Sequence, residues 1–201
     1  MEYIWGEKVK KICALILALI LLFSMATSAA ALEYKAIARQ SGTCALAGWT
    51  NTDENTITST DLIAIKTPVG TFVFLSISML DTVTGNISYK SGYTITRNNN
   101  FHAAAGNLNS ARIAGIDIEI SDPENNETEI VNVKANWAGE GKTLKGSSKF
   151  ISKSGDCIIR SSDSSSYREA TATASINNLD AGENCFAELV TFKSGYMEME
   201  K

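Results

Sequence analysis

His102 is the one histidine of the chain, so any reaction that needs an imidazole has to be built around it. No G-x-S-x-G and no H-E-x-x-H motif accompanies it, and its neighbour Phe101 marks a loop or strand edge rather than a catalytic centre. Cysteine is the next reactive type. Cys13 lies inside an apolar leader, which leaves Cys44, Cys157 and Cys185. A catalytic thiolate needs a basic neighbour, and the one histidine, His102, is far from all three in sequence. In an oxidising compartment three cysteines favour one disulfide and one thiol left over. Cys157 with Cys185 is the expected pair, because both open short strand-like runs late in the chain; Cys44 is the alternative partner.

The carboxylates suggest two further chemistries. Asp117 and Glu119 are two apart on one strand face, the kind of pair a glycan hydrolase could use. Strict alternation with isoleucine explains them equally well as the wet face of a strand. Asp122, Glu124 and Asn126 crowd one turn with Glu127, and Asn51, Asp53, Glu54 and Asn55 crowd another. Oxygen-rich turns of this kind can hold Ca²⁺, and Asp122, Glu124 and Asn126 are the first candidates. Gly139-Glu140-Gly141-Lys142-Thr143 ends like a phosphate-binding loop, but the earlier glycine is replaced by Asn136, so a hairpin turn is expected. No cofactor motif is found. Trp49 follows Gly48 and precedes a polar turn, which marks it as a candidate surface contact, whereas Trp137 falls on an apolar strand face. Asn86-Ile87-Ser88 and Asn126-Glu127-Thr128 are glycan-acceptor triplets.

The elements that must position these residues are strands. Ile116, Ile118 and Ile120 alternate with Asp117 and Glu119. Val131, Val133, Ala135 and Trp137 share a face, and Ala170, Ala172, Ala174 and Ile176 share another. A period of two sorts them, where a helical period would not. Phe72-Val73-Phe74-Leu75 is apolar on both faces, which implies either a strand covered from both sides or one whose second face meets a ligand or a neighbouring chain. Turn signals recur at Pro68-Val69-Gly70, Thr84-Gly85-Asn86, Ser154-Gly155-Asp156 and Asp180-Ala181-Gly182. Only Phe101 to Ala105 and Ser161 to Ser166 resist assignment: the alanines could form one helical turn, and the serines look like a solvated loop. The expected fold is all-β, an antiparallel β-sandwich of Greek-key or meander type with about 9–11 strands; a closed β-barrel is the alternative.

Organisation and destination follow from the first residues. Lys8, Lys10 and Lys11 precede an apolar run from Ile12 to Phe23, and small residues follow. These are the parts of a secretory signal peptide over residues 1–31, with cleavage after Ala29, Ala30 or Ala31. Residues 32–201 then form a single β domain, secreted or extracellular, with no membrane span after cleavage; an uncleaved segment would leave it at the cell surface. A formal charge of −4 gives no broad attraction for nucleic acid.

Trp137-Ala138-Gly139-Glu140-Gly141, followed by Arg168-Glu169-Ala170-Thr171-Ala172, resembles a pattern in uncharacterised small secreted β-rich proteins of bacteria and archaea. The resemblance covers at most the C-terminal third and implies an exported all-β protein, with no activity attached. The expected function is that of a non-enzymatic extracellular binding or structural module, whose partner is a glycan, another extracellular protein or its own copies. The alternatives are an exported carboxylate-based glycan hydrolase and a barrel binding a small apolar ligand.

Overall fold

A computed structural model describes residues 36–200 except 98–99, 105 and 155–156; side chains are described throughout that range except at 36–38, 153–154, 157–159 and 197–200. The signal-peptide segment lies outside the described residues. Eleven strands follow one another: β1 (Ala36–Thr52), β2 (Thr56–Thr67), β3 (Gly70–Asp81), β4 (Ile87–Thr96), β5 (Phe101–Ala103), β6 (Ser110–Asp122), β7 (Glu127–Gly139), β8 (Leu144–Ser154), β9 (Cys157–Ile176), β10 (Leu179–Asp180) and β11 (Glu183–Glu200). All pairings are antiparallel. The fold is all-β, as the alternation requires.

The pairings close on themselves. β1, β2, β3 and β4 are successive neighbours, β4 meets β6, β6 meets β7, β7 meets the second half of β9, and β11 returns from β9 to β1. The junction of β4 with β6 is the narrowest, carried by Ser91 opposite Ser121 and Gly92 opposite Ile120. Gly92 is required there, since a Cβ would stand 1.9 Å from the Glu119 carbonyl oxygen.

Inside this ring lies one apolar core. Ala45, Ala47 and Trp49 of β1, Leu62 and Ala64 of β2, and Val73 and Leu75 of β3 point in from one side. Ile113, Ile118 and Ile120 of β6 and Val131, Val133, Ala135 and Trp137 of β7 point in from the other. Alanine in register with large residues lets the two sides approach closely. The approach is close enough for side chain to reach backbone across the core. Trp49 donates its indole N–H to the Ala172 carbonyl at 3.0 Å, and Trp137 donates to the Leu46 carbonyl at 3.0 Å. Phe101 packs edge-on against Trp137, with ring centroids 6.4 Å apart.

Two segments depart from expectation. Phe101 to Ala103 is strand β5, paired with β6, and not a helical turn. Ser161 to Ser166 is the middle of β9, a 20-residue strand, and not a loop. These serines bury no apolar surface, but each has a ladder partner on both sides, in β8 and in β11. Paired backbone, rather than side-chain propensity, makes the strand.

The register also corrects the disulfide. Cys157 stands opposite Glu200, about fifteen residues along β11 from Cys185, roughly 50 Å of extended chain. Cys44 is opposite Val190, which is opposite Tyr167, leaving it roughly 34 Å from Cys157 and roughly 17 Å from Cys185. A disulfide needs Cα atoms within about 7 Å, so the described register brings no two of the three within bonding reach. Cys44 is buried, Cys185 is exposed, and neither is cross-linked. The Cys185 thiol lies 3.1 Å from the Thr50 hydroxyl instead. Among the described residues no helix is long and apolar enough to cross a membrane.

Candidate functional site

The residues singled out for chemistry are dispersed. His102 is exposed on β5, opposite Arg112. Asp117 and Glu119 lie on the exposed face of β6, and Asp117 accepts a hydrogen bond from the Asn132 side-chain amide at 2.7 Å. No cleft separates them from solvent, so they belong to the wet side of the strand.

At the β6–β7 turn the Asp122 carboxylate is engaged by its own loop. It accepts from the Glu124 N–H at 2.9 Å and from the Asn125 N–H at 3.3 Å, and from the Asn125 side-chain amide at 2.8 Å. These bonds, the Asn125 amide foremost, hold its pKa below the usual carboxylate value. Glu124 and Asn126 are exposed beside it, with Asn126 at φ 53° completing the turn. Among the described residues no group of three or more His, Cys, Asp or Glu is placed to hold a metal ion. In this structure the Asp122 carboxylate serves its own turn, with Glu124 and Asn126 pointing to solvent beside it. Asp81 does the same at the β3–β4 turn, accepting from Val83 and Thr84 N–H groups.

Trp49 is not a surface contact. It is 1% exposed, inside the core cluster, while on the opposite side of the strand Gly48 leaves room for Phe186, since a Cβ there would stand 2.3 Å from that ring. The surface aromatics are elsewhere, on the second face of β3. Phe72 and Phe74 turn outward, half-buried, while Val73 and Leu75 fill the core. Register places Ile65, Phe72 and Ile95 in one row and Ile63, Phe74 and Tyr93 in the next. Cys44 and Leu46 continue the rows across β1, and Val190 continues the first into β11. Phe72 and Tyr93 tilt against each other, ring centroids 5.6 Å apart. Tyr93 is 62% and Ile95 69% exposed. No other part of the described chain covers this face.

Polar groups bound the apolar rows. Asp61 sits beside Phe186, and burial pushes its carboxyl above the usual value, partly offset by a hydrogen bond from Ser76. Tyr167 donates to Glu188 at 3.3 Å; burial, with the Glu188 charge, pushes its hydroxyl up to about 12.

Arg168, for which the sequence offers no partner, has a clear task. Arg168 reaches the Glu140 carbonyl at 3.3 Å, the Asn107 carbonyl at 3.1 Å and the Asn109 side chain. It ties the β7–β8 turn to the loop before β6, where Leu108 is buried at a left-handed φ of 53°. Trp137 is opposite Ala172 and Gly139 opposite Ala170. The two short segments that carry the sequence resemblance are therefore adjacent rungs of one ladder.

The best-formed depressions are open to solvent. One, of about 260 Å³, lies over Arg112, Lys134, Asn136, Thr173 and Ser175 on the polar outside of β6, β7 and β9. The other, of about 330 Å³, lies on the outlying sheet of β8, β9, β11 and β1, among Arg39, Lys149, Arg160 and Gly195. Comparison with protein-family models, curated proteins and solved structures gave no match.

Proposed function

We propose that the chain is an exported, non-enzymatic binding or structural module that presents the apolar outer face of β1 to β4 and β11 to a macromolecule. The observation that carries this reading is the outward placement of Phe72, Phe74, Tyr93, Ile63, Ile65 and Ile95 in register across three strands. A strand whose second face met only water would carry polar residues there, as β6 and β7 do. Contiguous exposed apolar surface bounded by polar residues is the mark of a contact surface. The core is filled by Trp49, Trp137, Phe101 and aliphatic side chains, which speaks against a small-ligand barrel. The exposed, dispersed carboxylates speak against a glycan hydrolase.

The test uses residues 32–201 as the mature chain. Sedimentation follows its assembly, depletion from solution follows its adsorption to glycans, and reducing-end release follows turnover. The expected result is assembly or adsorption without turnover, weakened about tenfold by Phe74→Lys with Tyr93→Lys, a loss of about 1.4 kcal/mol. Circular dichroism and melting temperature stay near the parent values, because both side chains already meet solvent. Reducing ends whose release Asp117→Asn or Glu119→Gln abolishes would overturn the reading. Association indifferent to the two lysines would remove the apolar face from it.

A further inference from the structure

Beyond the core, β8, the first half of β9, the second half of β11 and the start of β1 continue as a four-stranded sheet that no other part of the described chain covers. β8 makes its principal contacts with β9 alone, and Leu144 to Ile151 are exposed throughout. Folding does not explain this sheet, since it adds nothing to the core.

Its charges are sorted by face. Arg39 is in register with Gly195, Ser162 and Lys149; Lys193 is in register with Ser41, Ser164 and Ser147; Lys145 is opposite Ser166; and Arg160 is opposite Ile151. Residues in register, and those two apart along a strand, share a face. Arg39, Lys145, Lys149, Arg160 and Lys193 therefore stand on one side, the side continuous with the core. Among the described residues no carboxylate shares that side and no ion pair holds any of the five. The other side carries Asp163, which accepts from the Ser148 and Ser194 hydroxyls, and all the aromatics: Phe150, Tyr167, Phe192 and Tyr196. Lysines on the edge strand β8 could serve only to block edge-to-edge pairing. Arg160 and Lys193 are on interior strands, where no edge needs blocking.

We propose that this basic face is an attachment surface for an acidic polysaccharide, a polymer of uronate- or sulfate-bearing sugars lying across β8, β9, β11 and β1. The inference rests on the extracellular binding-module reading but uses a different surface. Five unpaired cations complement a polyanion, and the β9 serines between them offer hydroxyls to sugar hydroxyls. Gly195 leaves the depression among Arg39, Lys149 and Arg160 open for a ring substituent. Single-stranded nucleic acid would need aromatic platforms, and here they lie on the opposite face. A duplex would need an element that enters a groove, which a flat sheet face does not offer. A membrane surface would add apolar insertion to charge attraction, and register places Ile37, Met197 and Ile151 in one row with Arg160, so phosphatidylserine vesicles are an arm of the test.

The mature chain is titrated with polygalacturonate, dextran sulfate, neutral dextran, duplex DNA and phosphatidylserine vesicles at low and at physiological salt. Binding to the two acidic polysaccharides, weakened by salt, is expected, with neutral dextran inert and DNA and vesicles at least about tenfold weaker at equal charge. Lys149→Glu with Arg160→Glu lowers polygalacturonate affinity about tenfold or more, whereas Arg97→Glu with Lys142→Glu, the same change in net charge elsewhere, alters it less than about twofold. Gly195→Leu changes no charge and meets no clash, its Cβ standing 3.7 Å from the nearest atom, yet it fills the depression and weakens binding severalfold. Equal loss in the two charge-reversal pairs, equal binding of DNA or vesicles, or no binding of either acidic polysaccharide at low salt would overturn the proposal. Phe74→Lys with Tyr93→Lys leaves polygalacturonate binding unchanged, so failure here and failure of the apolar-face reading are read separately.

Discussion

Trp49 and Trp137 act as a reciprocal pair of cross-core ties: one runs from β1 to a β9 carbonyl and the other from β7 to a β1 carbonyl. An indole N–H buried without a partner would cost free energy, so each ring fixes how far the two sides of the ring of strands can separate. Trp49→Phe keeps most of the apolar volume but leaves the Ala172 carbonyl without its donor. We expect a loss of about 1–3 kcal/mol in unfolding free energy, read from urea denaturation with an unchanged slope; a loss within error would mean the carbonyl finds another donor. The role of Trp49 was not legible in the sequence for a physical reason. Gly48 beside it signals a turn when read locally, whereas in the fold it makes room for Phe186 on the outer face. Trp137 was legible, because Val131, Val133 and Ala135 announce its face by alternation. Asp122 and Asp81 show the same limit for carboxylates. Acidic residues in a turn look alike as metal ligands and as acceptors of their own loop's N–H groups, and only the backbone geometry distinguishes them.

Strands whose two faces meet different media announce themselves; strands that meet one medium on both faces do not. β6, β7 and the second half of β9 alternate apolar with polar residues because one side is core and the other water, and the period of two was enough to place them. Ser161 to Ser166 has water on both sides, so no alternation exists to be read, and its strand character comes from partners distant in sequence. The apolar outer face was half legible: the run from Phe72 to Leu75 showed that both sides of β3 are apolar, but which neighbours extend the rows depends on register. Arg168 was invisible for the same reason, since its acceptors lie on two loops about 30 and 60 residues away in sequence. It holds the loop from Asn107 to Asn109 against the β7–β8 turn, and with it the left-handed Leu108. Arg168→Ala should cost about 1–3 kcal/mol through the lost charged hydrogen bonds, with faster amide exchange at Asn109. Arg168→Lys should recover little, because an ammonium cannot span three acceptors set for a planar fork. Full recovery with lysine would mean that charge alone, and not the fork, holds the loop.

At the scale of the whole molecule the long antiparallel register keeps the reactive side chains apart. Extended strands of 17 to 20 residues carry Cys44, Cys157 and Cys185 to different heights, so an oxidising environment finds no intramolecular pair to close. Among the described residues the stability of the fold therefore comes from its filled core and closed ring of pairings, and no cross-link contributes. This has a direct consequence for the mature chain exposed to oxidised and reduced glutathione. Monomer isolated after exposure should show no intramolecular disulfide by mass spectrometry. Cys185, exposed at the start of β11, should be alkylated rapidly, and Cys44, buried between β1 and its neighbours, only when the chain unfolds. Any disulfide that forms should join two chains, and reduction should leave the unfolding midpoint of the monomer where it was. A monomer that carries a Cys157–Cys185 or Cys44–Cys157 bridge would require a different register between β9 and β11. Both the basic face of the outlying sheet and the apolar rows of β1 to β4 depend on strand registers in this one connected sheet, so thiol mapping tests the frame that supports them.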